Sequence, residues 1–128
     1  MNQILLTGAT GNIGSHVLYE LVNDFHHQNK KTKIFVVIRP TKTKTAKERL
    51  VSEVFNKDVV PEKIKEFYQE FCTKQIEVIE GSIDNFTLPA SAEKDLLIYH
   101  LAASVNLGKS NNLPETILGR AMVHLKLF

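Results

Sequence analysis

The chain has 128 residues, 43% of them hydrophobic and 23% charged, with 16 Lys and Arg against 14 Asp and Glu. That length suits one domain, residues 1–128, with a real core and little room for a separate substrate pocket; a formal charge of +2 gives no reason to expect a nucleic-acid partner. A single cysteine, Cys72, excludes a disulfide framework and a cysteine zinc site, and without a long apolar run or a secretory leader a cytoplasmic chain with no membrane span is expected.

In chain order, the first element is a strand, Gln3–Thr7. Residues 12–25 follow with Ile13, Val17, Leu18, Leu21 and Val22 at helical spacing, one face laid on a sheet. The polar run HHQNKKTK forms a turn, in which His26 and His27 are expected to be solvated. IFVVI at 34–38 is apolar throughout, as a buried parallel strand should be, and Arg39-Pro40 ends it. Leu50, Val51 and Val54 mark a helix over 45–55, and a second is expected from Pro61 through Ile64, Phe67, Tyr68 and Phe71. Strands are expected at 76–79, where Glu77 meets some solvent, and at 96–101, where His100 reads as a hydrogen-bonded histidine of the sheet. After Pro114, the spacing of Ile117, Leu118, Ala121, Leu125 and Phe128 predicts a final helix.

Strands alternating with helices imply an α/β fold with a parallel sheet and right-handed crossovers. The expected Rossmann-type order is 3-2-1-4, one mononucleotide-binding half plus the first strand of the other, truncated before the rest of the second half. The fourth strand would then be an open edge, and dimerisation through it would cover the exposed backbone.

Gly8, Gly11 and Gly14 have the spacing GxxGxxG directly between a strand and a helix. Gly8 would permit a tight turn, Gly11 would let backbone approach a pyrophosphate, and Gly14 would let helix and strand pack closely. The helix start supplies N–H donors and partial positive charge. Thr10, Asn12 and Ile13 could frame phosphates through their backbone.

These residues carry a resemblance. TGATGNIGSH, with Thr7 before the first glycine, is similar to the extended short-chain dehydrogenase/reductase family. VVIRP at 36–40, followed by Ala46, Arg49 and Leu50, resembles its thioester-reductase and fatty-acyl-CoA-reductase branch. IEVIEGSI at 76–83 resembles the stretch after which the family contacts adenine, and YHLAASVN at 99–106 resembles the one whose small residues run beside the dinucleotide. The resemblance therefore implies cofactor contacts at Thr7, Gly8, Gly11, Gly14, Ser82, Ile83, Ala102 and Ala103. Ser82 departs from it, standing where the family usually has aspartate.

The second strand offers no carboxylate for a ribose 2′-OH and ends in Arg39. A guanidinium there would suit a 2′-phosphate, because its planar fork pairs with phosphate oxygens. The branch resembled uses NADPH with an arginine at this place, so NADP is the expected cofactor and NAD the alternative. Lys42 and Lys44, in the alternating Thr-Lys-Thr-Lys run, read as a solvated loop, and Lys47 follows in the expected helix. The chemistry of the family needs a tyrosine with a lysine four residues on. Among three tyrosines, Tyr19 is followed at that distance by Asn23, Tyr68 by Cys72 and Tyr99 by Ala103. No catalytic residue and no metal site is expected in this chain, the family's pair falling beyond residue 128.

If the register holds, the family's Asn-Val-x-Gly-Thr run falls on MVHLK at 122–126, in the last helix. The expected function is the NADP(H)-binding part of an acyl or thioester reductase, whose full form would reduce a carrier-bound acyl thioester. An NAD-dependent sugar epimerase-like fragment is the enzyme alternative, and a non-catalytic dinucleotide-binding or assembly module the other.

Overall fold

In a computed structural model the structure describes residues 3–82, 85–92, 96–101 and 123–127, the last as backbone. Five strands form one parallel sheet in the order β3-β2-β1-β4-β5. They are β1 (Gln3–Thr7), β2 (Lys33–Ile38), β3 (Ile76–Glu80), β4 (Leu96–His100) and β5 (Val123–Leu127).

Every residue of β1 is buried, and Ile34–Ile38 of β2 likewise, because both faces of the sheet are covered. Alternation divides their side chains. Ile4, Leu6, Ile34, Val36 and Ile38 face the helices, while Leu5, Phe35, Val37, Leu96 and Ile98 meet Phe86, Leu88 and Ala92 from the chain that follows β3.

Helix α1 (Asn12–His27) runs two residues further than its apolar periodicity indicates, so His26 and His27 form its last turn and remain exposed. Asn29 ends it at φ 53, with the N–H of Lys30 donating to the Phe25 carbonyl at 2.9 Å. Asparagine tolerates this left-handed conformation, and the reversal satisfies carbonyls that the helix leaves open. Leu18 and Val22 are fully buried on its sheet-facing side; truncating such a leucine to alanine costs about 2–5 kcal/mol.

The two helices expected between β2 and β3 are both present but irregular. The first begins as α2 (Ala46–Arg49) and continues as a π-helical turn over Leu50–Val54, closed by the Phe55 N–H on the Leu50 carbonyl at 2.9 Å. Thr45 and Glu48 form a reciprocal capping box at its start. The second splits into a 3₁₀ turn, Glu62–Ile64, and α3 (Tyr68–Gln75). Ile64, Tyr68 and Phe71 are still buried as their spacing requires.

The C-terminal segment corrects the sequence reading. Residues 123–127 are not helical: they form β5, parallel to β4, with Leu96 opposite Val123 and His100 opposite Leu127. VHLKL alternates apolar and polar residues, a period of two that suits a strand, and the free edge of β4 offers it backbone partners. The sheet therefore goes one strand further into the second half than expected. MVHLK cannot carry a helical Asn-Val-x-Gly-Thr register, and β4 is not the edge through which dimerisation was expected. The rest of the predicted final helix lies outside the described residues.

Candidate functional site

The glycine turn stands at the C-terminal end of β1, where a parallel sheet places its ligands. Gly8 has φ 83, a conformation L side chains rarely adopt. From there the chain closes a tight turn, the Gly11 N–H donating to the Gly8 carbonyl at 3.1 Å. A Cβ on Gly14 would lie 1.8 Å from the Gly8 oxygen, so only glycine lets α1 start against the strand end. These are the two roles expected of Gly8 and Gly14.

Gly11 is the N-cap of α1, extended at φ −81 and ψ 169, and offers no side-chain cap. The first turn contains no acidic residue. The helix thus begins with N–H donors that no side chain caps, at the end of a turn with glycine at both of its ends, a start that suits an anion. Asn12 and Ile13 are exposed on that turn, Ile13 at 58%, a large apolar surface left facing out beside the glycines.

Thr7 does more than precede the motif. Its Oγ1 shares a buried hydrogen bond of 2.8 Å with His100 Nδ1, and its carbonyl accepts the Leu101 N–H at 3.0 Å. The end of β1 is thereby fixed to the end of β4 directly beneath the turn. Burial pushes the His100 imidazole below its usual value and so favours the neutral ring. His100 is a hydrogen-bonded histidine of the sheet, as its sequence position indicates.

A groove of about 180 Å³ adjoins the turn. Five of the expected contact residues line it together: Thr7, Gly8, Thr10, Arg39 and Ser82. Arg49 also lines it, and among the described residues no carboxylate does. The lysines after β2 stay outside: Lys44 reaches Ser52 Oγ at 3.1 Å, Lys42 is exposed in the loop and Lys47 is exposed on α2. The sequence marks Arg49 as part of the helix that carries the branch resemblance, without a place at the cofactor. Its place in the groove depends on α2 folding back over Arg39, where Arg49 Nη1 donates to the Arg39 carbonyl at 2.7 Å.

Gly81 and Ser82 form the far wall. The Gly81 N–H donates to the Ile38 carbonyl at 3.0 Å, and a Cβ on Gly81 would come within 2.7 Å of the Asn85 oxygen. Ser82 and Asn85 exchange backbone hydrogen bonds of 3.2 and 3.1 Å, a narrow reversal that holds Ser82 at the groove. Ile83, Ala102 and Ala103 lie outside the described residues. The groove and turn suit a nicotinamide dinucleotide: a glycine turn, helix N–H groups without a side-chain cap and two arginines in the lining.

Other reactive side chains are occupied elsewhere. Burial pushes the Cys72 thiol up to about 12, which removes it as a nucleophile near neutrality. His26 stacks on Phe67 with ring centroids 3.7 Å apart. Tyr19, raised by burial, donates to the Val54 carbonyl at 2.7 Å. Among the described residues no three His, Cys, Asp or Glu are grouped to hold a metal, and no helix is long and apolar enough to cross a membrane.

The NAD-binding family model described as Male sterility protein matches residues 6–113, most of the chain, including the turn, the groove and Arg39. It agrees with the resemblance to the fatty-acyl-CoA-reductase branch. No curated protein matches the chain.

Proposed function

The chain belongs to the male sterility protein family of NAD-binding domains, and from that premise we propose that it binds NADP(H) as the cofactor part of an acyl or thioester reductase. The observation that supports this reading is the groove lined by the glycine turn and by Arg39 and Arg49, with no carboxylate among the described residues. A carboxylate at the end of β2 would favour a ribose 2′-OH; arginine favours a 2′-phosphate through bidentate, charge-assisted hydrogen bonds.

In this reading Gly8, Gly11 and Gly14 bring the backbone of Thr10, Asn12 and Ile13 up to the diphosphate. Arg39 holds the 2′-phosphate, with Arg49 beside it. Ser82 and Ile83 border the adenine, and Ala102 and Ala103 leave room along the nicotinamide half. The bound cofactor would supply a hydride for the carbonyl of a carrier-bound acyl group. No tyrosine of this chain is followed four residues later by lysine, so the proton donor is assigned to no residue here.

Calorimetric titration with NADPH and then NADH tests the proposal. NADPH is expected to bind at least about tenfold more tightly, roughly 1.4 kcal/mol, and Arg39→Ala is expected to abolish most of that preference. Equal affinity for the two cofactors in the wild type would overturn the NADP reading and favour an NAD-dependent chain.

A further inference from the structure

Arg39 leaves the sheet from a backbone fixed on both sides. Before it, the Ile38 carbonyl is held by the Gly81 N–H; after it, Pro40 restricts rotation. Its own carbonyl accepts Arg49 Nη1 at 2.7 Å. That last bond depends on where the Arg49 guanidinium sits, and Glu53 determines this. Arg49 Nε donates to Glu53 Oε2 at 2.8 Å and Nη2 to Oε1 at 3.0 Å, a two-pronged pair one helical turn apart.

We propose that Glu53 is a positioning residue for 2′-phosphate selectivity: it locks the Arg49 guanidinium, which in turn pins the backbone from which Arg39 reaches the groove. The inference rests on the reading of the groove as an NADP(H) site. Glu53 itself does not line the groove.

The segment carrying Glu53 is well placed for this. It lies in the π-helical turn, Leu50–Val54, whose Val54 carbonyl accepts the buried Tyr19 hydroxyl of α1 at 2.7 Å. The same α1 begins at the glycine turn, so one rigid path joins Glu53 to both ends of the groove. The hydrogen bonds from Arg49 hold the Glu53 carboxyl below the usual carboxylate range, so it stays ionised at neutral pH.

Two effects oppose one another. A carboxylate near an anion site subtracts positive charge, whereas orienting two arginines strengthens their bonds to phosphate. Orientation wins on this geometry. The Glu53 charge is already compensated by Arg49, water screens what remains because the two side chains are 34% and 19% exposed, and hydrogen bonds weaken steeply with misalignment.

The test uses two probes that differ only in the 2′-phosphate, adenosine 2′,5′-bisphosphate and 5′-AMP, titrated by calorimetry. The wild type is expected to prefer the bisphosphate. Glu53→Ala should lower that preference about fivefold or more, with 5′-AMP affinity and thermal midpoint unchanged. Glu53→Gln, which keeps one acceptor, should recover part of it. Arg49→Lys should lower it as Glu53→Ala does, because an ammonium keeps the charge but not the fork. A preference unchanged or increased in Glu53→Ala overturns the role of Glu53 and leaves the NADP reading standing. A wild type with no preference overturns both.

Discussion

The two ends of the groove are built by different physics. At the glycine turn the backbone decides everything: Gly8 at φ 83, and Gly14 with no room for a Cβ 1.8 Å from the Gly8 oxygen. At the arginine rim, side chains decide, through the Arg49 bonds to Glu53 and to the Arg39 carbonyl. The first end has essentially no tolerance for a wrong residue. The second is graded, since each bond there can be removed while the fold remains. On the proposed function, binding a dinucleotide at all would depend on the first end, and choosing between dinucleotides on the second.

Gly14→Ala should break the turn most severely. The added methyl has to push β1 and α1 apart, on the order of 3 kcal/mol, and dinucleotide binding should vanish in denaturant-checked, folded sample. Next comes the bond beneath the turn. Thr7→Val leaves His100 Nδ1 without its partner in a buried place, a loss of about 1–3 kcal/mol in urea unfolding.

His100 adds a pH signature to that region. Its folded value lies below its unfolded value, so the unfolded chain binds the proton more readily. Stability from this group is complete above about 6.5 and is lost as pH falls from there through the lower, folded value. Thermal melts from pH 7.5 to 5 should show this slope in the wild type and a shallower one in His100→Gln.

At the rim, effects fall on selectivity. Arg39→Ala should reduce the NADPH-over-NADH preference about tenfold, read as a ratio of dissociation constants with stability unchanged. The smallest effect belongs to the helix start that carries Arg49. Thr45→Ala removes the side chain that accepts the Glu48 N–H at 3.1 Å, costing about 1 kcal/mol of stability, with a slight loss of selectivity if α2 frays.

This division also explains what could be read from sequence. Gly8 and Gly14 are legible because a backbone constraint admits few residues, Gly11 from its spacing between them, and the strands β1, β2 and β4 because apolar continuity has few other meanings. Arg39 is legible from its place at a strand end. The pairing of Arg49 with Glu53 and its reach to the Arg39 carbonyl are not, since both arise from α2 folding back across β2. Ser82 is legible from the IEVIEGSI resemblance, while the backbone pairing with Asn85 that accompanies it is not. β5 was missed for another reason. Its alternation, VHLKL, is only five residues long, and the apolar residues before it suggest a helical period that absorbs it.

A single measurement reaches the central claim, that the glycine turn and the arginine rim form one dinucleotide site. Amide chemical-shift mapping of the ¹⁵N-labelled protein during titration with NADPH reads both ends at once. Shifts are expected at Gly8–Gly14, around Arg39 and at Gly81–Ser82, saturating together with one dissociation constant. Saturating NADPH that leaves those amides unmoved, or moves only the residues between α2 and α3, would contradict it.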